Sequence, residues 1–275
     1  MSFLKRRTLV LNKLKMTKII LCLFLIFVTL KLSAQPPKII TDRPGYTINP
    51  NTVSNKWMQS ETGLYRQSDR YFGLNRTFEF QHPSLLTKYG IGNRVELRLI
   101  LIAGSTKEEA GNGTYTRTGI TSFQLGGKYN FLKEKKIRPN IALIAHYDFH
   151  RFNFVNIKFD TIDGANFRFA MEHTISKTIS IGYNIGMEWK SFTYEPAYIY
   201  TLSPKFNITE KWKAFIEVFG YITKSNKPEH RFDGGIAYYV NSNLKLDAYG
   251  GFGLNLGTKE NFYSIGASFR FKTAK

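Results

Sequence analysis

His146, Asp148 and His150 stand at alternate positions in one short stretch. Alternate residues of a strand share a face. Two imidazoles and a carboxylate on one face could ligate a metal or work as an acid/base pair. Either chemistry needs further groups from neighbouring strands. No G-x-S-x-G nucleophile elbow occurs in the chain. His82, His173 and His230 lack ligand spacing. No metal and no cofactor is therefore expected, and the chain is not expected to be an enzyme.

A larger set of ionisable residues recurs at strand spacing. Glu61, Glu96, Arg98, Lys128, Arg168, Glu172, Glu188, Glu217, Arg231, Asp233, Lys245, Asp247 and Arg270 mostly sit between apolar neighbours. Glu79, Lys88, Asp148, Lys190 and Lys205 share the pattern. Both signs are present in similar numbers. On one face of a sheet they form either a charged lining that selects a permeant or a paired lattice that fills the interior and fixes strand register. Both readings stay open, since a buried charge must be paired in either case. Gly182, Gly186, Gly235, Gly251, Gly253 and Gly266 fall on the same faces and leave room for large neighbours or for an inserted segment.

The elements that carry these residues are strands. In Asp233–Asn255, Leu244, Leu246, Ala248, Gly250, Phe252 and Leu254 share one face, with Lys245, Asp247 and Tyr249 on the other. Phe232, Ile236, Tyr238 and Val240 oppose Arg231, Asp233 and Tyr239 before the turn at Asn241-Ser242-Asn243. A period of two marks a strand with one apolar face. The pattern predicts strands near Trp57–Gln67, Leu74–Ile91, Arg94–Gly104, Thr116–Phe131, Arg138–His150, Asp163–Ile175, Thr178–Lys190, Glu195–Ile208, Lys211–Thr223, His230–Asn241, Asn243–Leu256 and Glu260–Phe271. Pro83 interrupts the second, and the apolar phase slips between Phe80 and Leu85, which predicts a bulge there. Trp57, Trp189, Tyr194, Trp212, Tyr221 and Tyr239 fall near strand ends, where an interfacial girdle would place them.

The connections alternate in length. Gly92-Asn93, Ser176-Lys177, Thr209-Glu210 and Ser242 are tight, whereas Ser105–Tyr115 and Arg151–Ile162 are long. Outer-membrane barrels segregate short periplasmic turns from longer extracellular loops in this way. The expected fold is all-β, a twelve-stranded antiparallel transmembrane barrel over 57–271, with an irregular segment at 35–56 and a short tail at 272–275.

The N-terminus agrees with export. Ile19–Leu30 is an apolar run preceded by Lys5, Arg6, Arg7, Lys13, Lys15 and Lys18 without an acid. It is short for a membrane span and fits the core of a signal peptide ending at Ala34. Met16 offers a second start. The single cysteine, Cys22, lies inside that run and away from the junction, so a lipoprotein is not expected. The chain of 275 residues has a formal charge of +19. Its basic residues are spread through strands and turns, which disfavours nucleic acid and suits an anionic membrane surface. Outer-membrane lipids, lipopolysaccharide and the barrel-assembly machinery are the expected partners. Mean hydropathy is negative, as in a barrel where only alternate residues face lipid.

Four stretches resemble the outer-membrane barrel family known as "MetA-pathway of phenol degradation". They are Ile40–Pro44 (ITDRP), Ser84–Ile91 with Val95–Arg98, Phe123–Tyr129, and Asp233–Asn255. Lys88 stands where that family usually has Arg, and the chain continues past Phe271 where such barrels often stop. The resemblance implies a transporter connected with aromatic compounds. About eight strands enclose little beyond side chains and sixteen or more leave an aqueous channel. Twelve admits a narrow pore or one filled by the chain's own N-terminus, for which Asp42 and Arg43 are the docking candidates. The reading that follows is passive passage of a small hydrophobic or aromatic compound. A closed barrel acting through its outer loops is the alternative, and a lipid-modifying barrel enzyme the third.

Overall fold

The computed structural model describes residues 37–71, 76–110, 113–149, 163–190, 194–256 and 258–273. It holds twelve strands: β1 Trp57–Tyr71, β2 Arg76–Ile91, β3 Val95–Ala110, β4 Gly113–Leu132, β5 Asn140–Asp148, β6 Gly164–Thr174, β7 Ile179–Trp189, β8 Pro196–Asn207, β9 Trp212–Ile222, β10 Glu229–Asn241, β11 Leu244–Gly253 and β12 Thr258–Lys272. Each strand pairs antiparallel with its sequence neighbours, and β1 closes the ring against β12. Closure leaves no unpaired edge. The proposed signal peptide lies outside the described residues.

Burial is inverted relative to a water-soluble domain. Leu64, Leu97, Ile185, Ile216 and Ile265 point outward and are 45% to 61% exposed. Glu96, Asn130, Asn184 and Asp233 are 0% exposed on the opposite face. An apolar outside over an ionic inside suits a barrel surrounded by hydrocarbon.

Several boundaries differ from the sequence reading. The register of β2 with β1 and β3 runs unbroken past Pro83; the ladder to β3 only skips His82 and Pro83. Pro lacks an N–H, so its effect is a missing hydrogen bond, not an inserted residue. The register instead shifts in β4, where Ile102 and Ala103 pair with Ser122 and Ile120 and pass over Thr121. Shifts of the same size, a single residue, pass over Phe131 and Val240. The expected loop Ser105–Tyr115 is mostly strand: β3 and β4 stay paired as far as Ala110 and Gly113. Polar residues such as Lys107 and Glu109 end the apolar alternation there without ending the backbone ladder. Arg151–Ile162 lies outside the described residues. β12 runs one residue past Phe271, and the Thr273 N–H bonds the Lys56 carbonyl.

Candidate functional site

Residues 38–56 form no named strand. Their backbone groups must therefore find partners elsewhere. The Ile39 N–H donates to the Ser242 carbonyl at 2.8 Å. Gln59 Nε2 donates to the Ile40 carbonyl, and Glu61 accepts from the Asp42 and Arg43 N–H groups. Glu217 accepts from the Tyr46 and Thr47 N–H groups at 2.6 and 2.7 Å. The Asn184 amide holds both the N–H and the carbonyl of Ile48. Lys128 donates to the Asn49 and Asn51 carbonyls, Asn130 to that of Pro50, and Glu96 accepts from the Val53 N–H. These partners come from β1, β3, β4, β7, β9 and the β10–β11 turn. A segment that reaches walls on opposite sides of a closed ring lies within it.

Asp42 is the ionic centre. Its carboxylate meets Arg98 at 2.8 Å, Lys128 at 3.2 Å and Lys88 at 3.4 Å. Glu61 joins through Lys88 at 2.5 Å, and Glu96 through Arg98 at 2.7 Å and Lys128 at 3.7 Å. Three cations thus face three carboxylates, all with side chains at most 9% exposed. Burial alone would raise the Asp42 carboxyl, but Lys128, Lys88 and Arg98 outweigh it and hold it well below the usual carboxylate range. Next to it, Arg43 Nη2 pairs with Asp247 at 2.8 Å and bonds Ser264, while Lys245 donates to Thr41 Oγ1 and the Arg43 carbonyl. Gly45 takes φ +86°, turning the chain so that the Tyr46 ring stacks on Phe219 with centroids 4.1 Å apart.

Gly63 and Gly266 pair across β1 and β12. A Cβ on either would overlap the Arg43 guanidinium. Gly266→Val is expected to displace Arg43 from Asp247. Loss of a charged hydrogen bond, about 1.5–3 kcal/mol, should speed cleavage of residues 40–53 by a nonspecific protease about tenfold or more. Wild-type cleavage rates in that variant would show that Arg43 does not tether the segment.

The structure divides the other sequence candidates into separate groups. Glu172 pairs with Lys205 at 3.0 Å, and Arg168 lies 3.9 Å from Glu188. Arg231 bridges Glu260 at 2.5 Å and Glu229 at 3.0 Å. Asp233 lies across from Glu217, and neither of its oxygens meets a hydrogen-bond donor among the described residues. Arg270 sits over the Trp57 ring, 4.8 Å from its centroid, and bonds Asn243. Trp57, Tyr221 and Tyr239 lie on the inward face of their strands, with cations beside their rings, so they are not girdle residues. The His146 ring accepts from Arg98 Nε at 2.9 Å and contacts Asn166, and Asp148 accepts from Ser122. His150 lies outside the described residues. Among the described residues no group of three or more His, Cys, Asp or Glu could hold a metal.

Sequence reasoning by charge alone missed Gly45, Tyr46 and Thr47 on the segment and the neutral partners Gln59, Asn130 and Asn184 on the wall. The Pro44-Gly45 dipeptide was a turn signal, and the three amide residues occupy inward positions of their strands.

The family model described as "Putative MetA-pathway of phenol degradation" matches residues 41–271. The chain belongs to that family. The match begins at Thr41, so it takes in the lumenal segment together with the barrel. No curated protein matches by sequence. Among solved structures, the fold is similar to an outer membrane channel from Pseudomonas putida F1, with TM-score 0.64, 9% identity, and 83% of this chain and 99% of that chain covered. It is also similar to the translocator domain of the autotransporter NalP from Neisseria meningitidis, at TM-score 0.52, 9% identity and coverage of 78% and 88%. The KdgM porin gives TM-score 0.50, 9% identity and coverage of 77% and 99%. At such identities these likenesses establish the outer-membrane barrel fold.

Proposed function

We propose that this protein is an outer-membrane channel for passive passage of small hydrophobic or aromatic compounds, with residues 38–56 as its plug. The observation that carries the reading is the manner of filling. The interior is occupied by a segment held through hydrogen bonds and ion pairs to the wall, not by an apolar core. Polar contacts can exchange with water when a segment leaves, whereas an apolar core cannot. The family description and the similarity to the Pseudomonas channel support passage and, for the family, aromatic metabolism. Export by the N-terminal signal peptide, residence in a Gram-negative outer membrane, and contact with its lipids, lipopolysaccharide and assembly machinery belong to the same proposal.

The density of contacts to residues 38–56 favours a second reading, a closed barrel that acts through its outer loops. Single-channel recording separates the two. Refolded residues 35–275 should conduct weakly or rarely in planar bilayers, and a variant lacking 35–56 should conduct steadily. Equal conductance in both would mean that the segment does not block. Silence from both, with heat-modifiable gel migration showing a folded barrel, would overturn the channel reading in favour of the closed barrel.

A further inference from the structure

Beside the segment, at the end of the barrel carrying the turn between β6 and β7, lies a cavity of about 320 Å³. Its walls include Phe215 and Tyr239, which are 7% and 6% exposed, together with Ile40 and Pro44. The charges around it do not balance. The Lys205 ammonium bonds Glu172, and the Lys245 ammonium is taken by Thr41 and the Arg43 carbonyl. Asp42 already answers three cations elsewhere. Lys213 remains. It is half-buried, lies 5.3 Å from the Tyr239 ring centroid, and makes no hydrogen bond or ion pair among the described residues.

We propose that this cavity binds a one-ring aromatic carboxylate, its ring against Phe215 and Tyr239 and its carboxylate on Lys213. A half-buried ammonium without a counter-ion calls for a negative charge, and one beside an aromatic wall prefers an anion that also carries apolar surface. The volume lies at the lower end of the range for small-molecule pockets, about 300–1,000 Å³. The inference deepens the channel reading by naming a class of compound, and rests on that reading for its purpose.

The test is equilibrium dialysis of radiolabelled benzoate against the refolded full chain in detergent. Benzyl alcohol supplies the ring without the charge, and acetate the charge without the ring. Lys213→Gln should weaken benzoate binding about tenfold or more, and Lys213→Arg should keep it within about threefold. Each competitor should displace benzoate at least about tenfold less well than benzoate itself. Unchanged binding in Lys213→Gln would overturn the proposal, and so would equal competition by benzyl alcohol or by acetate. Should Lys213→Gln fail to show folded gel migration, Tyr239→Leu provides the second arm. It should lower benzoate binding and leave acetate competition unchanged, and wild-type benzoate affinity there would overturn the aromatic wall. Conductance without benzoate binding would remove this site and leave the channel reading standing. Lys213-dependent binding by a barrel that never conducts would do the reverse.

Discussion

Replacing Asp42 by asparagine is expected to raise the open probability of the barrel by about two to three orders of magnitude. The side chain keeps its size and the backbone keeps its bonds to Glu61. The charge alone is lost. Lys88, Arg98 and Lys128 would then face only Glu61 and Glu96, with the Lys88, Arg98 and Lys128 side chains at 2%, 2% and 0% exposure. Removing one partner from a buried ionic cluster costs about 3–5 kcal/mol, because the remaining charge is stranded out of water. When the segment leaves, water reaches those cations and the penalty disappears, so the cost falls on the docked state. A second change should reverse the first. Lys128→Gln in the Asp42→Asn background leaves Lys88 on Glu61 and Arg98 on Glu96, and the double variant should close again toward the wild-type level. The measurement is single-channel open probability, with gel migration as the check on folding. An open probability within about threefold of wild type in Asp42→Asn would mean that the ionic cluster does not hold the segment.

The barrel itself was legible in the sequence because its physics is periodic. Leu244, Leu246 and Ala248 against Lys245 and Asp247 state both the strand and its two faces, and the inverted burial follows once the outer solvent is hydrocarbon. The same periodicity misled where it stopped. Lys107, Glu108 and Glu109 end the apolar alternation, yet β3 continues through them, because the ladder is made by backbone groups that the pattern of side chains does not report. The site was legible in part. Asp42 and Arg43 stood out as opposite charges in an aperiodic stretch, and the wall charges stood out by their spacing. Which charge meets which depends on register and on the path of residues 38–56, and neither is a local property. Tyr46, Asn130 and Asn184 carry no charge and their roles arise from backbone bonding, so nothing in their spacing set them apart from other inward residues.

Acid should do reversibly to the wild type what asparagine does permanently. In the docked state the Asp42 carboxyl sits well below its ordinary value of 3.8, because the pull of Lys128, Lys88 and Arg98 exceeds the opposing effect of burial. In a released segment bathed in water it returns to the ordinary value. The docked state therefore favours the ionised form. Its contribution is fully present above 3.8 and is lost as pH falls through the depressed value. Open probability of the wild type should accordingly stay flat from about pH 7 to about pH 4 and climb only below that. Glu61 and Glu96 face the same cations in both proteins, so the difference between wild type and Asp42→Asn isolates Asp42. The two curves should stand far apart at neutral pH and converge in strong acid. A wild-type rise centred between about pH 5 and 7 would assign the gate to another group. Curves that keep their neutral-pH separation in strong acid would show that protonating this carboxylate does not free the segment.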